Sequence, residues 1–150
     1  MGFHSVGPIN FESVSSVTST NSVELGTRRI FNGEEYVYCK NDTGSSVTQG
    51  ALMVKSLTSL TRSSTDALDM PSVGVKHAAV GASQYFWGLV RGEMAVMSIA
   101  MTAGEVLTTG ADGAVATFIT ATLPTGVPIG KALSTSTGNA QPTCLLRLWG

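Results

Sequence analysis

Gln84-Tyr85-Phe86-Trp87-Gly88-Leu89-Val90-Arg91-Gly92 is the stretch on which the fold turns. Side chains alternate across a strand, so Tyr85, Trp87, Leu89 and Arg91 fall on one face and Phe86, Gly88, Val90 and Gly92 on the other. The glycines of the second face leave room for a neighbouring ring or backbone.

This stretch closes the first copy of a cadence that occurs twice. The first copy runs Gln49-Gly50-Ala51-Leu52-Met53-Val54, then Val73-Gly74-Val75-Lys76-His77-Ala78, then Phe86–Gly92. The second runs Ala103-Gly104-Glu105-Val106-Leu107, then Ile129-Gly130-Lys131-Ala132-Leu133, then Leu145-Leu146-Arg147-Leu148-Trp149-Gly150. Each copy reads as a turn glycine with a short apolar strand, an aliphatic-Gly pair opening a second strand, and a third strand closed by Gly. Two copies predict one compact, pseudo-symmetric β-domain, because an open array needs about three or more repeats.

Working outward, Met94–Met101 is apolar on both faces: Met94, Val96 and Ala100 on one, Ala95, Met97, Ile99 and Met101 on the other. Such a strand is buried on both sides, by its own core or by a subunit interface, which makes Met94 and Met97 candidate contact residues. Upstream, Phe31-Asn32-Gly33-Glu34 reads as a turn before the strand Glu35–Lys40, and Asn41-Asp42-Thr43-Gly44 as another. Val47–Ser56 carries a strand interrupted by Gly50, and the polar Thr58–Pro71 reads as a surface loop. Downstream, Asp112-Gly113 between apolar segments signals a hairpin. Val127–Leu133 and Thr143–Trp149 are the final strands. No segment carries a helical stripe. The expected class is all-β: a compact antiparallel β-sandwich or barrel-like domain with a pseudo-repeat.

Residues 1–30 differ from the body, residues 31–150. Phe3, Ile9, Phe11 and scattered valines lie in and beside a Ser/Thr-rich stretch with no period. That composition cannot bury enough apolar area to order itself. It is either a flexible tail or an extended arm ordered against another subunit; Val14, Val17 and Val23 suit extended pairing and favour the arm. Phe3, Ile9 and Phe11 are its candidate contacts. Arg28-Arg29, where arm meets body, is either a solvated boundary or an anchor for carboxylates on a partner surface, since Arg pairs bidentately.

The 150 residues fit one domain, long enough to bury roughly two-thirds of its unfolded surface. Charged residues make up 13%, against an average of about 25%, with Ser, Thr and Gly in their place. That suits a strand-and-turn protein and equally one whose surface is largely covered by partners. A formal net charge of -1 gives no general attraction to nucleic acid or an anionic membrane. The longest apolar run is far short of the ~20 residues that span a bilayer, and Met1-Gly2-Phe3-His4 has no basic n-region of a signal peptide. The expectation is a soluble, unexported chain.

Catalysis fails at the inventory. The histidines are His4 and His77, and His77 reads as an exposed or satisfied structural residue in a strand. Glu93, Glu105 and Asp112 sit at strand ends or turns rather than as facing carboxylates. Cys39 and Cys144 form no metal-type pair and read as buried reduced thiols; a disulfide would need their Cα atoms within about 7 Å. No cofactor, metal or catalytic residue is expected.

The pattern Ala103-Gly104-Glu105-Val106-Leu107-Thr108-Thr109-Gly110-Ala111-Asp112-Gly113, followed by Ile129-Gly130-Lys131-Ala132-Leu133 and a terminal apolar strand, resembles the capsid decoration, or cement, proteins of tailed bacteriophages. Tyr36-Val37-Tyr38 resembles their early strand and Tyr85–Gly92 their aromatic strand, so the resemblance covers roughly residues 24–150. It implies a non-enzymatic all-β viral structural protein, commonly a homotrimer, on the capsid exterior of the virion. Its partners would be the major capsid protein, whose neighbouring subunits it clamps, and itself, after assembly in the host cytoplasm. The Ser/Thr-rich N-terminus is not part of that pattern. The alternative from the surface aromatics and Ser/Thr loops is a receptor- or glycan-binding module, as in a phage tail fibre.

Overall fold

The computed structural model describes residues 13–55, 60–62, 73–97, 100–109, 114–117, 128–137 and 141–148. Every regular element among them is a strand. The first three are β1 (Val17–Thr18), β2 (Arg28–Phe31) and β3 (Glu34–Lys40). The first copy of the cadence supplies β4 (Leu52–Lys55), β5 (Leu60–Arg62), β6 (Val73–Gly74) and β7 (Tyr85–Ala95). The second supplies β8 (Val106–Thr109), β9 (Val115–Thr117), β10 (Gly130–Ala132) and β11 (Thr143–Arg147). All pairings between these strands are antiparallel, so the chain is an all-β antiparallel protein.

The order across the sheet is β5-β4-β6-β7-β11-β10-β8-β9, a palindrome of the two copies that does not close into a barrel among the described residues. The mirrored order extends to single hydrogen bonds. Gly50 N–H donates to Val75 O at 2.8 Å and Val75 N–H to Ala51 O at 2.9 Å; Gly104 N–H donates to Ala132 O at 2.8 Å and Ala132 N–H to Glu105 O at 2.9 Å. The ladder equates Gly74, opposite Leu52 and Leu89, with Lys131, opposite Val106 and Leu145. That is one residue away from the glycine spacing, which sets Gly74 against Gly130; backbone pairing, not the glycines, defines the equivalence. By the same count Arg91 matches Arg147, and these two are direct partners where β7 meets β11. The pseudo-twofold relation passes between them.

β7 is the wall of the fold. Its β3 edge carries a slip: Tyr36 faces Leu89 but Glu35 faces Arg91, leaving Val90 as an extra residue. Such a bulge shifts the alternation of everything after it. Trp87 and Leu89 therefore share one apolar cluster with Met94 and Val96, together with Tyr36, Tyr38 and Leu146. Phe86 and Val90 pack in the other, with Val37, Val47, Val73 and Val75. The two faces expected from alternation hold through Val90. Arg91, expected beside Trp87, is instead exposed, because the bulge intervenes. Each buried Val, Leu or Phe contributes about 1.5–3 kcal/mol, so a core on both faces makes β3 and β7 the most heavily stabilised strands.

Local chemistry explains the connections. Asn32 (φ 50°) and Gly33 (φ 78°) both take the left-handed conformation that a tight β2–β3 hairpin requires, as Asn-Gly predicts. Asn41, fully buried, donates its amide to Ser45 O (2.8 Å), Val80 O (3.0 Å) and Gly81 O (3.1 Å), pinning the next turn. Asp112-Gly113 lies outside the described residues, but its flanks pair as a hairpin should, Thr109 opposite Val115. The expected loop Thr58–Pro71 contains β5, and the expected strand Met94–Met101 is the end of β7 plus a separate bridge from Met101 to Ser136.

The described part of the N-terminal segment lies along the body. Val14 is 4% exposed within the aromatic cluster, and Val17 and Thr18 pair with Phe86 and Tyr85. Gly26 N–H donates to Tyr38 O at 2.9 Å, Tyr38 N–H to Thr27 O at 2.8 Å, and β2 runs across the boundary expected at residue 30.

Candidate functional site

β2 pairs with β3 on one side only among the described residues, so its outer edge is open. Ile30 on this edge is 77% exposed and Phe31 41%. Alternation sends the adjacent arginines of β2 in opposite directions. Arg28 forms an ion pair with Glu35, while the Arg29 guanidinium lies 5.4 Å from the Phe31 ring centre and 6.0 Å from that of Trp87. Both cations are thus held against the body, one by a carboxylate and one by aromatic faces.

The other expected contact residues are placed apart from this edge. Met94 is 2% exposed, an interior residue opposite Cys144, so of the two expected settings it takes the protein's own core; the bulge decides which of the two clusters it joins. Met97 is half-buried against the aliphatic cluster, with Thr48 Oγ1 donating to its sulfur at 3.0 Å. Phe3, Ile9 and Phe11 lie outside the described residues.

A cleft of about 560 Å³ opens beside β2, lined by Arg28, Glu35, Val90, Arg91, Arg147 and Leu148. The bulge brings Val90 and Arg91, consecutive in sequence, to the same cleft, as bulges re-aim side chains. Sequence reading missed Arg91 and Arg147 as a pair. The signal was present in the repeat, as Leu-Val-Arg in one copy and Leu-Leu-Arg in the other.

A polar cluster ties the two cores together. Tyr36 Oη donates to Glu34 Oε2 at 2.6 Å, Lys76 Nζ pairs with the same oxygen, and Glu93 N–H donates to Oε1 at 2.9 Å. Gly92, with φ 146°, admits this arrangement: a Cβ there would meet Glu34 Oε1 at 2.7 Å. Burial alone would raise the Glu34 carboxyl, but its hydrogen bonds and the Lys76 charge outweigh burial and hold it below its ordinary value. Burial and the Glu34 hydrogen bond raise the Tyr36 phenol. His77 stacks on Tyr36 with ring centres 5.8 Å apart; burial and the Lys76 charge lower its pKa against the pull of Glu34. Donors and acceptors here point at one another, an arrangement that fastens strands. His77, expected in a strand, lies beyond the end of β6, half-buried, with its Nε2 3.3 Å from the Tyr36 hydroxyl.

No protein-family model, curated protein or solved structure matches the chain. Among the described residues no group of three or more His, Cys, Asp or Glu is placed to hold a metal ion, and no helix is long and apolar enough to cross a membrane. Cys39 and Cys144 are not joined in a disulfide and are buried in different clusters, and burial pushes the Cys144 thiol up to about 11. Among the described residues, the β2 edge and the arginine cleft beside it are features open to a partner.

Proposed function

We propose that this protein is a non-enzymatic structural component of a tailed-bacteriophage virion, a decoration protein that binds the capsid exterior, clamps neighbouring major capsid subunits and self-associates as a homotrimer. The open, apolar edge of β2 carries the reading. An exposed strand edge with Ile30 and Phe31 is a template for another chain, and folds that keep such an edge need it covered. Strand addition there supplies main-chain hydrogen bonds, with side-chain pockets adding selectivity. The two-core wall behind it gives the rigidity a clamp needs, and repetition over a symmetric shell turns modest contacts into avidity.

Co-sedimentation with undecorated capsids, alongside light scattering of the free protein, tests this. The expected result is a trimer that pellets with shells and an Ile30→Lys variant that folds but pellets far less. A monomer that binds no shell would sink the proposal, and glycan-array binding without capsid affinity would move the protein to the adhesion class.

A further inference from the structure

Arg91 and Arg147 face each other across β7 and β11, and both are exposed. Directly opposed residues of an antiparallel pair have Cβ atoms about 4.5–5.5 Å apart, and like charges so placed repel. Neither guanidinium has an ion pair or side-chain hydrogen bond among the described residues. Glu35, directly opposite Arg91 on β3, is engaged by Arg28. The cleft therefore carries Arg28, Arg91 and Arg147 against one carboxylate, with Val90, Ile129 and Leu148 as apolar lining.

We propose that this cleft binds a doubly charged oxyanion, a phosphate group or a pair of carboxylates, held between Arg91 and Arg147. Each guanidinium offers a planar fork matched to such oxygens, and the pseudo-twofold relation sets one fork on each side of the ligand. Apolar lining concentrates the field of the cations at the cleft. The cleft volume of about 560 Å³ exceeds a bare ion and falls within the range of small-molecule sites, so the charged group comes attached to a small organic body. The bound anion would replace repulsion with two charge-assisted contacts. The inference is independent of capsid binding.

Calorimetric titration with inorganic phosphate and with succinate, each at ionic strength matched by sodium chloride, tests it. Saturable binding of either probe is expected, and which probe binds assigns the group as phosphate or carboxylate. Arg91→Gln and Arg147→Gln should each weaken binding at least tenfold, Arg147→Lys should weaken it less, and Lys131→Gln, an exposed cation elsewhere on the sheet, should leave it unchanged. Thermal unfolding gives a second readout: the anion raises the wild-type midpoint, whereas Arg147→Gln unfolds at or above the anion-free wild type and no longer responds. A wild type no more responsive than in matched chloride, or an Arg147→Gln variant with the full response, would overturn the assignment.

Discussion

The Tyr36 hydroxyl donates to Glu34 Oε2 at 2.6 Å from two residues along the same strand, while its ring is 1% exposed in the aromatic cluster. One residue thus joins the core to the Glu34–Lys76 pair. Hydrogen bonds to charged groups contribute about 1.5–3 kcal/mol, and Tyr36→Phe keeps the ring while removing the donor. Urea unfolding of Tyr36→Phe should show a loss of about 2 kcal/mol at unchanged slope. A loss below about 0.5 kcal/mol would mean that the hydroxyl does not hold the cluster.

Acid should unfold the protein in two stages, with a sign set by the same cluster. A carboxyl depressed in the folded state contributes stability above its unfolded pKa and loses it as pH falls through the folded value. Glu34, lowered from 4.5, supplies the more acidic stage. His77, lowered from 6.5, binds its proton more readily when unfolded, so stability also declines as pH drops below 6.5 towards its folded value. His77→Phe, which keeps a ring on Tyr36, should remove the upper stage of a midpoint-against-pH curve, and Glu34→Gln the lower. The His77 ring protons should titrate below 6.5 by NMR. An upper stage that survives His77→Phe would assign it to another group.

Alternation, Asn-Gly turn chemistry and the doubled cadence were enough to read the class, the turn that opens β3 and a pseudo-symmetric domain, but not β2, whose Arg28–Ile30 were read as the end of the arm. The legible patterns are local or repeated, and local geometry enforces them. The Val90 bulge was not legible, because an extra residue in one strand is defined only against its neighbour β3. It moved Arg91 to the surface and set Met94 in the aromatic cluster with Trp87, where strict alternation from Phe86 would have placed it in the aliphatic cluster of the other face. Glu34 and Lys76 lie far apart in sequence and meet only through the sheet register. Val14 and Val17 carry no period, yet each packs where β7 offers apolar surface.

Gly88 is fixed by its neighbour on β6. A Cβ added there would meet Val73 Cβ at 2.7 Å and Cγ2 at 2.9 Å, and Val73 is fully buried. Overpacking of this kind costs about 1–3 kcal/mol. Gly88→Ala should lower stability by that amount, and Val73→Ala by about 2 kcal/mol through the cavity it leaves. The double variant should lose less than the sum, since each change makes room for the other, with a coupling of about 0.5–3 kcal/mol. Strict additivity in denaturant unfolding would place the strain of Gly88→Ala elsewhere.

The N-terminal segment divides two uses of the same residues. A detachable arm could be cut away without harm to the body, whereas Val14 in the aromatic cluster, the β1–β7 pairs and the 3.1 Å contact of Ser22 Oγ with Tyr38 Oη stabilise the body itself. Burial of Val14 alone contributes about 1.5–3 kcal/mol. Removing residues 1–23 should therefore lower the thermal midpoint and shift tryptophan emission to longer wavelength as the buried Trp87 meets water. Val14→Asp should do the same, and Ser15→Asp, at an exposed neighbouring position, should not. A truncated protein that keeps its midpoint and emission while losing only capsid affinity would instead make residues 1–23 a partner-gripping arm.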